Sequence, residues 1–519
     1  MTRTERSGLA GWGVPGFIER VSARRATQRF GITDREVGWV RNVAGGVARL
    51  GGLPSVAYGE RVTIVAGDGR VVADGVATDL DADGVGIVLL SGGEAVMEGM
   101  RAERTGRPVS VPVGEGSLGR VVDPLGRPRD SGPAIRPRGW WPVERPAPDV
   151  LARAPVRTPL ATGVTALDAL LPIGRGQREL ILGDRQTGKT TLALTAVLAQ
   201  RGTGVRCVWC SVGQRGSGTA KVVASLRRSG ALAFTTVVAS GSDDLPGLRW
   251  LAPFAAMSMA EAMADDGTDV LLVIDDVTEH ARAYREMSLL LRRPPGREAY
   301  PGDVFHLHAR LLERAVQLRS GGSITALPIL QTQERELAAY IPTNLISICD
   351  GQVVLSNDLA ARGVLPAIDV GRSVSRVGGK AQEEGYREVA GRLRLDLAQF
   401  EELERFARFG ADLDASTRDA LRRGTRVRAV LRQGPLEVIP ASEQRALLHA
   451  ASEGWLDDVP EADLNRVLLD VREAVAGDVS LREPLASGAR LEDAAREALR
   501  DRVASIVQEV GTRTGKGAA

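Results

Sequence analysis

Residues 183–190 read Gly-Asp-Arg-Gln-Thr-Gly-Lys-Thr, directly after the apolar run Glu179-Leu180-Ile181-Leu182. The stretch fits G-x-x-x-x-G-K-[ST], a loop whose backbone N–H groups and following helix N-terminus cradle phosphate oxygens. A short strand precedes it, and the helix-forming run Thr191-Leu192-Ala193-Leu194-Thr195-Ala196-Val197-Leu198 follows, which is the context the motif requires. Gly183, Asp184, Arg185, Gln186, Thr187, Gly188 and Thr191 are therefore expected around the phosphates of ATP or ADP. Lys189 is expected to reach the β- and γ-phosphates and Thr190 to ligate Mg²⁺.

About ninety residues on, Leu271-Leu272-Val273-Ile274 ends in Asp275-Asp276. A buried strand that delivers a carboxylate to its C-terminal edge suits a nucleotide-bound Mg²⁺, and Asp275 is the expected metal carboxylate. Turnover also needs a group that positions and polarises the attacking water. The strand-like run Val205 to Cys210 leads into Ser211-Val212-Gly213-Gln214-Arg215, and Gln214 cannot accept a proton. The expectation is a nucleotide site, Gln214 included, that binds without turnover.

A chain of 519 residues exceeds one core and suggests about three domains at ~150 residues each. With 43% hydrophobic and 25% charged residues it reads as an ordinary soluble protein, and a net charge of +2 gives no field to draw nucleic acid or an anionic membrane. No apolar h-region opens the chain and no run approaches the ~18 apolar residues of a membrane span, so a cytosolic protein that meets a membrane only through partners is expected. Among the three cysteines, Cys207 and Cys210 have C-x-x-C spacing but lie in a strand-like run that sends their sulfurs to opposite faces. His306 and His308, two apart in an expected helix, diverge and do not make a metal pair.

Composition shifts divide the chain. Residues 1–34 carry a basic segment around Phe17 to Arg25 that reads either as a short helix or as a solvated, frayed terminus. Over 35–101, β-rich runs such as Val85-Gly86-Ile87-Val88-Leu89-Leu90 alternate with Gly and Asp turns, the pattern of a small antiparallel barrel. Between about 160 and 370 strands alternate with helices, the signature of a mostly parallel sheet covered by helices, and 102–390 is expected to form a P-loop (RecA-like) α/β nucleotide-binding domain. Within it, the Trp/Pro-rich stretch from Trp140 to Pro159 reads as an extended connector. Residues 391–519 turn helical, most clearly at Leu491, Ala494, Ala495, Ala498, Leu499, Val503, Ile506 and Val510. The expected fold class is thus multi-domain α/β: barrel, P-loop domain and helical bundle.

Longer motifs bring a family into view. Pro172–Leu180 (PIGRGQREL), the phosphate loop, Leu289–Asp303 (LLLRRPPGREAYPGD), Ala338–Gln352 (AAYIPTNLISICDGQ) and Ser373–Gly379 (SVSRVGG) occur in this order, and over nearly its whole length the chain resembles the alpha subunit of F-type ATP synthase. The resemblance implies an alternating ring of three alpha and three beta subunits around a gamma shaft, with delta and b in a peripheral stalk. It implies that alpha binds Mg-nucleotide without turning it over, that beta makes ATP, and that the complex sits on the cytoplasmic face of the cell membrane. Relatives that catalyse carry Glu where this chain has Gln214. The resemblance also gives Arg376 of SVSRVGG the role of a finger that crosses to the nucleotide on beta.

Departures accompany it. The family's Arg-Pro beneath the adenine is Leu365-Pro366 here, its paired glutamines are Gln433 and Pro435, and its Glu-Thr-Gln is Gln331-Thr332-Gln333. Its Asp-Asp-Leu-Ser-Lys is Asp275-Asp276-Val277-Thr278-Glu279. Pro366 and Gln433 are carried over as base contacts, and the chain is read as a divergent alpha subunit of second-copy or sodium-coupled type. Two other classes compete: a self-sufficient hexameric P-loop motor, of the export-ATPase or RNA-helicase kind, and a nucleotide-free scaffold. The motor should carry Glu at Gln214 and, for RNA, a basic or aromatic surface; the scaffold conflicts with an intact Lys189, Thr190 and Asp275.

Overall fold

The computed structural model describes residues 36–333, 336–407 and 414–516. The basic segment expected over 1–34 lies outside them.

Six antiparallel strands close a barrel in the order Val37–Ala44, Val47–Gly51, Gly84–Ser91, Val71–Asp81, Glu60–Val65, Arg101–Pro108. Alternating residues point inward, so Val40, Leu50, Val62, Ile64, Ile87 and Leu89 form its core. The expected boundary at 101 is too early. Closure needs a partner for the free edges of both Val37–Ala44 and Glu60–Val65, and the strand Arg101–Pro108 pairs with each. Its charged residues, Arg101, Glu103, Arg104 and Arg107, disguise it in the sequence.

The central sheet has eight strands, in the order Val374–Ser375, Gly351–Leu355, Glu179–Gly183, Ser323–Gln331, Asp269–Asp275, Arg206–Gln214, Thr235–Gly241, Val121–Val122. All pairs are parallel except the edge strand Val374–Ser375. Helices cover both faces, and alternate residues of one strand feed two separate cores. Cys207 and Trp209 join one cluster while Val208 and Cys210 join the other, so the two sulfurs do lie on opposite faces.

The stretch after Trp140 is not all connector. Gly139–Pro142 pairs antiparallel with Ser110–Val113, because Trp140, Trp141 and their neighbours have the extended backbone and bulky side chains a short ribbon needs. The boundary expected at 390 falls inside the helix Glu384–Ala407, which begins the helical region. Helices Ala415–Leu431, Ala441–Ser452, Glu461–Gly477, Val479–Ala486 and Asp493–Lys516 follow. In the last of these Leu499, Val503, Ile506 and Val510 are buried, but Ala494 and Ala498 are exposed, so the inward stripe is narrower than the sequence pattern suggests. No helix of the described residues is long and apolar enough to cross a membrane.

Helical regions also bury histidine. His308 is fully buried, packs 5.5 Å from His280 between ring centroids, and has no hydrogen-bond partner for either nitrogen among the described residues. Burial pushes its pKa down to about 4. The unfolded chain, with histidine near ~6.5, therefore takes up this proton first, and His308 withdraws stability as pH falls from ~6.5 toward 4, at about 1.4 kcal/mol per pH unit. Buried carboxyls with raised pKa, such as Glu179, pull the opposite way, so a variant must isolate the effect. Between about pH 7 and about pH 5, His308→Phe should lose about 2 kcal/mol less stability than the parent in denaturant titrations; equal losses would show that the imidazole is not kept neutral.

Candidate functional site

The phosphate loop springs from the strand Glu179–Gly183, every residue of which is buried. Two glycines explain the turn. At Gly183 a side chain would meet the Leu355 carbonyl at 2.8 Å and the Thr187 hydroxyl at 2.9 Å, and Gly188 adopts φ +97° to start the helix Lys189–Leu198. Arg185 and Gln186 are exposed at the tip and Gln186 sits at φ +62°, while the Thr187 hydroxyl bonds the Asp184 carbonyl at 2.9 Å. Left-handed residues at 186 and 188 are the backbone feature from which anion-holding concavities of N–H groups are built.

Lys189 is buried, and its ammonium donates to the carbonyls of Gly183 at 2.8 Å and Asp184 at 2.5 Å. Burial pulls its pKa down, and the carboxylates of Asp276, Asp275 and Asp184 act against that pull. The Thr190 hydroxyl donates to Asp275 Oδ2 at 3.0 Å. A hydroxyl and a carboxylate converging beside the phosphate loop are the hard oxygen donors that a small divalent cation takes. Burial raises the Asp275 pKa to about 6. Asp276 serves the backbone instead. Its Oδ1 accepts from the Glu279 N–H at 2.9 Å and caps the helix Val277–Leu290.

Two residues steer the loop that sequence reasoning does not select. Thr332 donates to Asp184 Oδ1 at 2.6 Å and Asn357 to Asp184 Oδ2 at 2.7 Å. Both follow strands that flank Glu179–Gly183, and that adjacency is a property of sheet order, which no local motif reveals. Gln214 ends the strand Arg206–Gln214, beside the strand that carries Asp275, with Ser211 opposite Asp275 in register. The neighbouring carboxylate, Glu279, packs against Gly213 and is held by Arg282 at 2.5 Å.

A cavity of about 190 Å³ opens from Gln186, Thr187, Gly188 and Thr191 toward Pro366 and Gln433. Leu192, Leu355, Leu365, Pro366, Pro435 and Leu436 give it an apolar wall. The Gln433 amide, expected to meet the base, is spent inside the protein. Its oxygen accepts from the Thr165 N–H at 3.1 Å, and its nitrogen donates to the carbonyls of Gly163 at 2.6 Å and Glu437 at 2.5 Å. The Glu437 carboxylate is likewise engaged, by the Gly434 N–H at 2.8 Å and Arg472 at 2.6 Å.

Arg376 is not brought to this loop. It follows the edge strand Val374–Ser375, where Ser375 pairs with Gly351 and Gly351 with Glu179, at the end of the sheet opposite the phosphates. Four residue steps along the strand separate Glu179 from Gly183, roughly 13 Å at ~3.3 Å per residue. The guanidinium is exposed and donates to the Ile346 carbonyl at 2.9 Å.

Comparison with known proteins agrees with this geometry. Residues 163–375 match the ATP synthase alpha/beta family, nucleotide-binding domain, and residues 382–506 the ATP synthase alpha/beta chain, C terminal domain. ATP synthase subunit alpha 2 of Albidiferax ferrireducens is 51% identical over 92% of this chain and 89% of its own length. The subunit alpha 2 of Syntrophotalea carbinolica is 54% identical over 83% and 82%, and the subunit alpha 1 of Dinoroseobacter shibae 51% identical over 93% of each. Matched over both of these domains and about half identical to these relatives over more than four fifths of their length, the chain belongs to the alpha-subunit family of the F-type ATP synthases and serves as part of that enzyme complex.

Proposed function

We propose that this chain is the non-catalytic nucleotide-binding subunit of the complex and that it acts on its neighbour's chemistry through Arg376. The observation that carries the reading is the placement of Arg376, exposed and at the end of the sheet away from its own phosphate loop. A guanidinium there serves a nucleotide held by another chain. The neighbour is a beta subunit in an alternating ring around gamma, with delta and b as the peripheral stalk. The ring lies at the cytoplasmic face of the cell membrane and meets the membrane only through the ion-conducting sector, which uses a proton or sodium gradient. The names alpha 1 and alpha 2 among the relatives fit a second-copy complex.

At the chain's own site, Gly183 to Gly188 and Thr191 hold the phosphates, Lys189 turns from its two carbonyls to the β/γ oxygens, and Thr190 with Asp275 holds Mg²⁺. When bound, the ion neutralises phosphate charge. The base enters the apolar cavity beside Pro366, Leu365 and Pro435, with Gln433 shaping its floor rather than reading its edge. Gln214 accepts no proton and Glu279 is tied to Arg282, so neither is free to act as a base for the attacking water.

Two outcomes follow. A cavity whose polar groups are committed elsewhere has little to tell adenine from guanine, because discrimination of ~10⁴ comes from hydrogen bonds left unmade by the wrong ligand. Competition between MgATP and MgGTP for the isolated chain should give affinities within about tenfold, and a strong ATP preference would contradict the assignment of Gln433. The second outcome tests Arg376. Arg376→Ala should let the ring assemble and bind MgATP on beta, yet lower multisite ATPase turnover by roughly 10³, the lower end for such fingers. Arg376→Lys should restore little, because an ammonium lacks the planar fork. Parent-like turnover in assembled Arg376→Ala would remove the finger.

A further inference from the structure

The end of the sheet opposite the phosphates holds a buried polar cluster that nucleotide binding does not use. Glu179, the first residue of the central strand, is fully buried. Its Oε2 accepts from Gln177 Nε2 at 2.7 Å, and its Oε1 has no hydrogen-bond partner among the described residues. Gln177 is fully buried too, and its oxygen accepts from the Gly174 N–H at 2.8 Å. The same Gln177 Nε2 donates to Ser375 Oγ at 3.1 Å, and the Ser375 hydroxyl donates to the Pro172 carbonyl at 2.7 Å. Ser375 directly precedes Arg376.

The other side of the strand grips the same loop. Arg178 donates from Nε and Nη2 to the two oxygens of Asp350 at 3.0 and 2.9 Å, and the Asp350 carbonyl accepts the Arg376 N–H at 3.0 Å. Residues 177 to 179 thus hold Arg376 from both faces, through Ser375 and through Asp350. Gly351 makes room for this: a side chain there would collide with the Glu179 carboxyl and the Val374 carbonyl.

We propose that Glu179 is a positioning residue for Arg376: by accepting one N–H of the Gln177 amide it fixes that amide, so that the other N–H holds Ser375 and the loop presenting the arginine. This rests on Arg376 being the finger argued for above. Burial pushes the Glu179 pKa well above the usual carboxylate range while the Arg376 charge acts against that push, and in either form the Oε2 accepts from Gln177. A Gln at 179 keeps such an oxygen, and a Leu of similar size does not. Small displacements matter at a finger, since about 1 Å of misplacement costs on the order of 100-fold in rate.

The test uses the reconstituted complex carrying variants of this chain, read by steady-state ATPase with assembly checked by size. Glu179→Leu should lower kcat about tenfold or more with little change in KM, while Glu179→Gln stays close to the parent. In an Arg376→Ala background Glu179→Leu should cause no further fall, because the group it positions is gone. If Glu179→Leu does not assemble, Ser375→Ala, which trims only a hydroxyl, should show the same kcat loss and the same dependence on Arg376. The proposal is overturned if the Leu and Ala variants turn over like the parent, if Leu and Gln at 179 are equally impaired, or if the loss persists unchanged without Arg376. A slow Arg376→Ala with a fast Glu179→Leu defeats the positioning role alone; a fast Arg376→Ala defeats the finger reading and this proposal with it.

Discussion

The strand Glu179–Gly183 constrains everything else. Buried at all five positions and paired on both sides in parallel register, it has no freedom to slide without turning its side chains to the wrong faces. Its C-terminal end opens into the phosphate loop, and its N-terminal end anchors the buried cluster beneath Arg376. One rigid element therefore carries the phosphate loop at one end and the footing of the Arg376 loop at the other, at opposite ends of a sheet.

Within the nucleotide site, charge explains the arrangement. Asp275, Asp276 and Lys189 share a buried space in which burial disfavours the charged form of each, raising the two carboxyls and lowering the amine. Such groups stay together because their attractions offset desolvation, and phosphate with a cation fits the same cluster. The base cavity is built differently. Its amide and carboxylate face inward to hold the loop around residues 433–437, leaving apolar walls for the ligand.

What the sequence reveals is local chemistry in contiguous residues. The phosphate loop, the acidic strand end at Asp275, the alternating barrel strands and the opposed cysteines all follow from short-range spacing. Asn357 and Thr332 stay hidden because sheet order brings them to Asp184. The strand Arg101–Pro108 escapes a reading by pattern because closure demands it while its charged residues disguise it. The boundary at 390 falls inside a helix because helical periodicity becomes visible only after a few turns. Family pattern assigns Gln433 to the base, whereas long-range contacts with Gly163 and Thr165 claim its amide.

The proposed division of labour is that this chain holds a nucleotide and lends an arginine while the chemistry happens next door. The most direct measurement is nucleotide binding and hydrolysis by the isolated chain, freed of contaminating ATPases, beside the same chain assembled with its partners. The isolated chain should bind MgATP with negligible turnover, while the assembly hydrolyses it rapidly. Rapid hydrolysis by the isolated chain would contradict it, and would show that the site around Gln214 catalyses by itself.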